Sequence, residues 1–220
     1  MSKLRFEISM SLDGYVAGPD QSEENPLGKG GERLHDWVVE LEAWRKSHGH
    51  PGGEVNESTP VIEEQLANIG AGLMGRNMFG PVGGGDWGDG SWQGWWGDDP
   101  PFHYPVFVLT HHGREPLELS DTTFNFVTDG IESALDQAKE AAGDKNVKLS
   151  GGADVARQYL AAGLIDEMEL HVVPVLLGSG ERLLDDVGDL ELEQVRAVEA
   201  PGVTHLKYHI VKEPRLVSSA

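Results

Sequence analysis

The sequence predicts one α/β domain, a three-layer α/β/α sandwich with a mainly parallel central sheet and an antiparallel C-terminal hairpin. Segments with strand character alternate with segments of helical periodicity, which is the order that builds a parallel sheet covered by helices. The run VFVLT at residues 106–110 is apolar almost throughout, as expected for a strand buried on both faces. Residues 190–199 and 204–211 alternate in polarity and are separated by APGV, which predicts the hairpin.

The remaining elements follow from periodicity and from turn residues. Ser58 or Thr59 is the expected N-cap of the second helix, with Pro60 at its first helical position. The domain is expected to span residues 1–220, with a frayed tail at 213–220. Strands are predicted at residues 4–10, 71–75, 106–110, 124–128, 147–150 and 167–173, and helices at 32–48, 60–70, 76–79, 131–142 and directly after Gly152.

Composition excludes several classes of function. The 220 residues include 17 Lys or Arg and 37 Asp or Glu, and the resulting net charge of −20 disfavours binding to nucleic acid or to anionic membranes. The chain has no cysteine, which excludes disulfides, thiolate zinc sites and a cysteine nucleophile. No apolar segment reaches signal-peptide or membrane-span character, so a cytoplasmic protein is expected.

Polar and glycine residues follow three of the predicted strands. In a parallel sheet, ligands collect at the carboxyl ends of strands, where loops and helix N-termini converge. Arg76, after the first of these strands, can clamp a phosphate such as the 2′-phosphate of NADP. Thr110 and His111 would complete that pocket with a hydroxyl and a ring N–H. The alternative for Arg76 is a plain surface charge.

The paired glycines Gly151 and Gly152 allow two interpretations. They can be a steric turn between a strand and a helix. They can also clear space while the backbone N–H groups of Ala153, Asp154 and Val155 bind a pyrophosphate. In the second case the Asp154 carboxylate must point away from the phosphate. The pattern is not the six-residue Rossmann fingerprint.

Other candidate residues are less specific. Asp13 either caps its own turn or faces a substrate. No pair of histidines has a third ligand at a recognisable spacing, so no metal site is predicted. Residues 80–101 place four tryptophans among glycines and aspartates, which indicates either a structured loop over a site or a protein-interaction surface. Trp37 and the tryptophans of this loop are candidates for a flat wall against a heteroaromatic substrate.

Four motifs resemble the dihydrofolate reductase-like superfamily, and most closely the free-standing proteins related to the reductase domain of the bifunctional riboflavin-biosynthesis deaminase-reductase: SLDGYVAG, LMGRNMF, VFVLT and LSGGADVARQYLAAGLIDEMELHVVPVLLGSGERLL. The resemblance covers nearly the whole chain. It implies a three-layer fold that binds NADPH across the strand ends. By position, it matches Gly75, Arg76 and Asn77 to the glycine–arginine turn, Leu109, Thr110 and His111 to the adenosine-phosphate pocket, Gly151, Gly152, Ala153, Asp154 and Val155 to the pyrophosphate turn, and Met10, Ala17 and Gly18 to the nicotinamide side.

The resemblance also has departures. Met78 stands where dihydrofolate reductases carry threonine, and Ser150 where the riboflavin-pathway enzymes usually carry glutamate. Asp36 and Glu40 lie on the helix that carries the acid in the family, and Asp36 is the expected catalytic group. The expected function is an NADPH-dependent reductase of a small heterocyclic (pterin- or pyrimidine-like) or carbonyl substrate, with a homodimer as a candidate assembly. The alternative is a non-catalytic ligand-binding or assembly protein that retains the fold.

Overall fold

Nine strands form one sheet in the computed structural model, which describes residues 2–83 and 85–212. Their spatial order is β10-β11-β8-β1-β7-β3-β4-β6-β5. The tail predicted at residues 213–220 lies outside the described residues. The sheet strands are β1 Leu4–Ser11, β3 Ile69–Gly75, β4 Val106–Leu109, β5 Leu117–Leu119, β6 Thr122–Val127, β7 Asn146–Leu149, β8 Glu167–Val173, β10 Leu192–Ala200 and β11 Val203–Ile210; β2 Tyr15–Ala17 and β9 Glu181–Arg182 pair separately.

The predicted fold class is confirmed. The six central strands, from β8 to β6, pair in parallel, and both borders are antiparallel. The predicted C-terminal hairpin is β10 with β11, and β11 continues the sheet alongside β8. On the opposite border, β5 pairs antiparallel with β6. The three short strands β2, β5 and β9 were not predicted, because two or three residues carry too little periodicity to read.

One face of the sheet holds the larger apolar core. The helices α5 (Ile131–Ala142) and α6 (Ala153–Ala161) cover this face. Alternate residues of the central strands point toward these helices and are fully buried, including Phe6, Leu73 and Leu149. The alternation predicted for residues 4–10 therefore has its apolar half in this core.

The opposite face is unusual because it is polar over β1, β7, β8 and β11. Arg5 and Glu7 of β1 are only 6% and 9% exposed. This half is covered by α2 (Glu42–Ser47) and α3 (Thr59–Leu66), and the half over β4 and β6 carries an aromatic cluster. We call the charged half, together with its buried histidines, the polar face.

The single helix predicted over residues 32–48 is wrong. The structure has a 3-10 helix (Gly31–Leu34), α1 (Asp36–Val39) and α2 in its place. Leu41 is extended, with φ −70° and ψ 136°, and forms a β-bridge with Glu54. Glu42 N–H donates to the Glu54 carbonyl at 2.9 Å, so a long-range contact replaces the helical hydrogen bonds at this point.

The second predicted helix begins where expected but ends early. Pro60 lies in the first turn of α3, and the helix stops at Leu66 rather than at residue 70. Ser58 occupies the N-cap position, but its hydroxyl bonds a buried histidine and not the helix backbone. None of the helices in the described ranges has both the length and the apolarity that crossing a membrane requires.

Candidate functional site: a cationic crevice at the strand ends

The predicted cofactor residues lie at the carboxyl ends of four adjacent parallel strands, β1, β7, β3 and β4. Parallel pairing puts these ends on one edge of the sheet. Three strand spacings separate β1 from β4, which is roughly 14 Å. The edge is therefore wide enough for an extended dinucleotide, with the Met10 end and the Thr110 end at opposite sides.

The glycine turn after β7 touches the end of β3. Gly75 N–H donates to the Gly151 carbonyl at 2.7 Å, and a Cβ on Gly75 would lie 2.8 Å from Val155. Gly151 has φ +117°, a conformation that favours glycine, and the Gly151–Gly152 peptide is cis. A Cβ on Gly152 would meet no atom within 4 Å, so open space adjoins the N-terminus of α6. The two interpretations of the paired glycines are therefore compatible: Gly151 has a conformation that favours glycine, and Gly152 adjoins space that a ligand can occupy.

The first turn of α6 has no side-chain cap among the described residues. The Asp154 carboxylate pairs instead with Arg157, one turn further along the helix. This orientation agrees with the requirement that Asp154 point away from a bound anion. The N–H groups of Ala153, Asp154 and Val155 belong to the turn in which helical N–H groups lack intrahelical acceptors.

Arg76 lies at the end of β3 and is only 8% exposed. Its guanidinium donates to the carbonyls of Gly80 and Pro81, the latter at 3.0 Å. Its Cζ also lies 3.9 Å from the centroid of the Trp87 ring. Burial, and then the charge of Arg114, lower the pKa of the Arg76 guanidinium.

Arg114 lies close to Arg76. It donates to the carbonyls of Trp92 and Gly90 at 2.6 and 2.8 Å, and its Cζ is 5.3 Å from the Trp87 ring centroid. Trp87 thus contacts both guanidinium groups, and its indole N–H donates to the His112 carbonyl at 2.7 Å.

Neither the buried Arg76 nor the partly exposed Arg114 has a carboxylate partner among the described residues. No Asp or Glu oxygen of the described residues lies within 4.0 Å of Arg76 or Arg114. Among the other described arginines, only the exposed Arg33 likewise lacks a carboxylate within this distance. In a chain of net charge −20, two adjacent cations without a counter-ion create a local positive potential. We call this pair with the Trp87 ring the arginine–tryptophan cluster.

The β4 end supplies the predicted polar residues beside this cluster. The buried Thr110 hydroxyl accepts from His112 N–H at 3.1 Å and so fixes the turn. His111 and Asn77 are exposed at the edge, and Leu109 is half-buried. The structure therefore brings the residues predicted after β3, β4 and β7 to one edge.

The predicted nicotinamide side is more enclosed. Met10 is half-buried near the end of β1, and Ala17 is buried in β2. Gly18 N–H donates to the Leu27 carbonyl at 2.8 Å, and a Cβ on Gly18 would lie 2.2 Å from the Lys29 carbonyl oxygen. Gly18 therefore permits the close approach of the loop that follows it.

Asp13 is held by hydrogen bonds within the protein. Its carboxylate accepts from the Ser11 hydroxyl at 2.6 Å and from the N–H groups of Leu177 and Gly178 at 3.2 and 2.7 Å. These bonds, the Ser11 bond first, lower the pKa of Asp13 to about 2. Asp13 therefore ties the β1–β2 turn to the loop after β8, because the N–H groups that it binds belong to that loop and not to its own turn.

Asp36 and Trp37 lie over the polar face. Asp36 is exposed in the first residue of α1. The Trp37 indole N–H donates to the Ser9 hydroxyl at 3.1 Å, and its ring lies 4.9 Å from the ring centroids of His171 and His205. The tryptophans of residues 80–101 instead pack over β4 and β6, so they do not form one wall with Trp37.

A hydrogen-bonded chain lies beneath Trp37 and was not predicted. Gln65 Nε2 lies 2.7 Å from His171 Nε2, the two Nδ1 atoms of His171 and His205 are 2.8 Å apart, and His205 Nε2 is 2.9 Å from Ser58 Oγ. Gln65 Nε2 can only donate, so His171 Nε2 accepts, His171 Nδ1–H donates to His205 Nδ1, and both rings are neutral in this arrangement. Burial is the main cause that lowers the pKa of His171 well below its usual range and that of His205 to about 4.

Sequence reasoning assigned Trp87 to a candidate wall against the substrate, and it did not place the Trp87 ring against the guanidinium groups of Arg76 and Arg114. The basic run after VFVLT was a signal for Arg114, but nothing local places Trp87 beside Arg76. A group of metal-ligand type, Asp99, His103 and Asp121, is fully exposed and lies away from the crevice. It was also not predicted.

The fold and crevice define an α/β protein with a cationic crevice at the carboxyl ends of its parallel strands. Comparison with family models gives the particular class: residues 2–206 match the RibD C-terminal domain, and the chain belongs to this family. It is 33% identical to YyaP of Bacillus subtilis over 51% of this chain and 63% of that protein, and 27% identical to YwjB over 40% and 50%. The matches thus span less than two thirds of either relative.

Solved structures share the fold. A candidate riboflavin biosynthesis protein from Shewanella sp. PV-4 superposes with a TM-score of 0.63 at 22% identity, covering 96% of this chain and all of that one. A diaminohydroxyphosphoribosylaminopyrimidine deaminase/5-amino-6-(5-phosphoribosylamino)uracil reductase from Thermotoga maritima gives 0.59 at 12% identity, over 96% and 57% of the chains. Dihydrofolate reductase of Enterococcus faecalis, complexed with NADP(H), gives 0.51 at 12% identity, over 96% and 97%. The predicted dihydrofolate reductase-like fold is confirmed, and the predicted relationship to the riboflavin-biosynthesis deaminase-reductase is confirmed by the match to the RibD C-terminal domain.

Proposed function

We propose that the protein is an NADPH-dependent oxidoreductase that transfers a hydride to a small heterocyclic or carbonyl substrate. The observation that carries the proposal is the pair of adjacent arginines without carboxylate partners among the described residues, the buried Arg76 and the half-buried Arg114, beside an uncapped helix N-terminus. Phosphate groups suit both features, because guanidinium groups bind phosphate in charge-assisted hydrogen bonds and helix N-termini favour anions. Related proteins that are reductases support the same assignment.

The residues of the crevice fit the cofactor in a definite orientation. Arg76 and Arg114, with Thr110 and His111, would hold the 2′-phosphate, and the α6 N-terminus would hold the pyrophosphate. The nicotinamide would then lie toward Met10, Ala17 and Gly18 on the β1 side. When bound, NADPH supplies the hydride chemistry. The protein contributes binding, orientation and exclusion of water.

Proton transfer on this side needs an acid, and Asp36 is the candidate. Asp36 stands at the exposed start of α1, beside Trp37, which roofs the polar face. We assign Asp36 the delivery of a proton, directly or through water, to the reduced substrate. Replacement by asparagine is expected to lower kcat with little effect on NADPH binding, and an unchanged kcat would remove Asp36 from the mechanism.

The binding experiment compares three variants. Fluorescence titration with NADPH and NADH is applied to the wild type, Arg76→Ala and Arg33→Ala. Arg76→Ala should weaken NADPH at least about tenfold and NADH much less, since the loss of a charge-assisted contact is worth about 1.4 kcal/mol or more. Arg33→Ala removes an arginine that is exposed and should change neither affinity. Equal losses for both cofactors, or no NADPH binding by the wild type, would contradict the assignment.

A second function is favoured by two observations. The donors of Arg76 and Arg114 are already bonded to carbonyls of the loop at residues 80–101, and Met78 replaces a polar residue of the family. A ligand-binding protein without turnover is consistent with both. Oxidation of NADPH in the presence of pterins, pyrimidines or quinones distinguishes the two functions: binding without oxidation of cofactor across the panel favours the non-catalytic one.

A further inference from the structure

Residues 85–92 lie across the arginine–tryptophan cluster, and we call this segment the strap. All of its residues are exposed except Trp87 and Trp92, which are half-buried. The backbone hydrogen bond of Gly90 is local, to the Trp87 carbonyl at 2.8 Å. A segment with so little buried surface opens at a low cost in free energy, so the few contacts that attach it decide its position.

Arg114 holds the backbone of the strap. Its Nη1 donates to the Trp92 carbonyl at 2.6 Å, and its Nη2 donates to the Gly90 carbonyl at 2.8 Å. Both terminal nitrogens of this guanidinium are therefore bonded to the strap. A phosphate that binds a guanidinium in the bidentate geometry needs two such nitrogens. The phosphate and the strap thus compete for Arg114.

The two indole N–H groups attach the strap at further points. Trp87 donates to the His112 carbonyl at 2.7 Å, and Trp92 donates to the Phe79 carbonyl at 3.0 Å. The Trp87 ring also lies 3.9 Å from the Cζ of Arg76. Trp87 therefore joins the strap both to a cation of the crevice and to the turn that follows β4.

One side of the Arg76 guanidinium has no acceptor. Both of its hydrogen bonds to the described residues leave from Nη1. Its Nε is buried and has no hydrogen-bond partner among the described residues. A buried donor without an acceptor is costly, so this side of the guanidinium indicates a place for an anion. Arg76 can therefore make the first contact with a phosphate while the strap is still closed.

The strap itself is negatively charged. It carries the exposed Asp86 and Asp89, whose carboxylates accept from N–H groups of the strap and pair with neither arginine of the cluster. A phosphate on the cluster brings more negative charge beside this segment. Because like charges repel, a bound phosphate favours the open strap.

We propose that the strap is a phosphate-responsive cover of the cofactor crevice, closed on Arg76 and Arg114 without ligand and opened when the 2′-phosphate of a dinucleotide replaces it on Arg114. The inference rests on the proposed function, because it requires that the cluster bind this phosphate. A nucleotide without a 2′-phosphate leaves the strap closed. The coupling is reciprocal, so a change that weakens the attachment of the strap tightens the binding of the phosphate.

The position of the strap can be measured by double electron–electron resonance on the full chain. The chain has no cysteine, so nitroxide labels on Asp89→Cys and Glu140→Cys report only the distance between the strap and α5. Saturating 2′,5′-ADP should lengthen or broaden this distance, and saturating 5′-AMP should leave it unchanged. The control pair, Glu118→Cys with Glu140→Cys, joins β5 to α5 and should give a constant distance with both nucleotides.

Calorimetry on the same labelled chain separates failure of the strap from failure of the proposed function. If 2′,5′-ADP binds and saturates while the distance from the strap to α5 stays the same, the cover is refuted and the proposed function stands. If 2′,5′-ADP does not bind, the proposed function is contradicted and the cover with it. An equal change of distance with 5′-AMP would overturn the role of the 2′-phosphate.

Trp87→Phe tests the reciprocal effect without removing a cation. The variant keeps an aromatic ring but loses the N–H that donates to the His112 carbonyl. The distance from the strap to α5 should broaden without ligand, and 2′,5′-ADP affinity should rise about two- to tenfold, as expected for the loss of one hydrogen bond of the closed state. Trp44→Phe, on α2, is the matched control and should change neither quantity. Unchanged or weaker binding of 2′,5′-ADP by Trp87→Phe would overturn the proposal.

Discussion

The cations at the strand ends differ from those on the polar face in what surrounds them. Arg76 and Arg114 are bonded to backbone carbonyls and to one tryptophan ring. Arg196 and Lys207 are bonded to carboxylates: Arg196 lies 2.6 Å from Glu64 and 2.8 Å from Glu169. The chain has 37 acidic residues, so carboxylates are abundant. The lack of carboxylates beside Arg76 and Arg114 among the described residues therefore distinguishes the strand-end cations.

This difference predicts different roles for the two groups of cations, one in stability and the other in ligand binding. A buried ion pair is strongly destabilised when one partner is removed, because the other charge stays buried. A cation whose partners are carbonyls and an aromatic ring can exchange them for a phosphate. Polar-face cations are therefore expected to control stability, and strand-end cations to control ligand affinity.

The largest expected effect comes from breaking the ion pairs of the polar face. Arg196→Met leaves Glu169, which is 2% exposed, without its close partner and should lower the free energy of unfolding by about 3 kcal/mol. Arg114→Met, which breaks no ion pair, should cost less than about 1 kcal/mol. Urea denaturation measures both. Equal losses would mean that the two groups of cations do not differ in role.

The next effect concerns pH and the histidines of the polar face. The pKa of His205 is lowered from 6.5 to about 4, so the unfolded chain binds more protons between these values. Stability should be complete above about pH 6.5 and fall as the pH drops toward 4, by roughly 2 kcal/mol. Urea denaturation at several pH values tests this. Below about pH 4.5, protonation of Glu64 and Glu167, whose pKa values are also lowered, adds a further loss.

A His205→Asn variant isolates the histidine contribution. Its free energy of unfolding should still fall below about pH 4.5, where the carboxylates are protonated. Between pH 6.5 and 4.5, this free energy should change less with pH than in the wild type. A variant as pH-dependent as the wild type in that interval would assign the effect to other groups.

The role of Arg114 in ligand binding is tested by its effect on cofactor affinity. Arg114→Met should weaken NADPH about tenfold, or about 1.4 kcal/mol, and leave NADH nearly unchanged. Parallel titrations with both cofactors provide the measurement. An unchanged NADPH affinity would restrict the phosphate contact to Arg76.

The smallest effect is expected at Trp87. Its ring contacts both guanidinium groups, and cation–π contacts contribute about 0.5–2 kcal/mol to the ligand-free arrangement. Trp87→Ala should therefore tighten NADPH binding a few-fold, whereas Trp92→Ala should do so less. Weaker NADPH binding in Trp87→Ala would show that the indole supports the bound cofactor instead of competing with it.

The sequence predicted what depends on local pattern. Helix α5 and strand β8 have the predicted bounds, because an amphipathic helix ending at Gly143 and a mostly apolar strand are both readable in one window. The strand ends were also predicted, since parallel pairing follows from the alternation of elements.

Long-range contacts were not predictable in this way. The alternation in LRFEISM predicted a strand but not its surroundings: Arg5 and Glu7 are buried because partners on β7, β8 and α3 enclose them. The break at Leu41 depends on Glu54, and the position of Trp87 depends on a loop that folds back over Arg76. Each is decided by residues distant in the sequence.

The central claim is that the strand-end cations bind the 2′-phosphate of a dinucleotide. Calorimetric titration of the wild type with 2′,5′-ADP and with 5′-AMP tests it without requiring a substrate. The account predicts that 2′,5′-ADP competes with NADPH and binds about tenfold or more tightly than 5′-AMP. Equal affinities for the two nucleotides would contradict it.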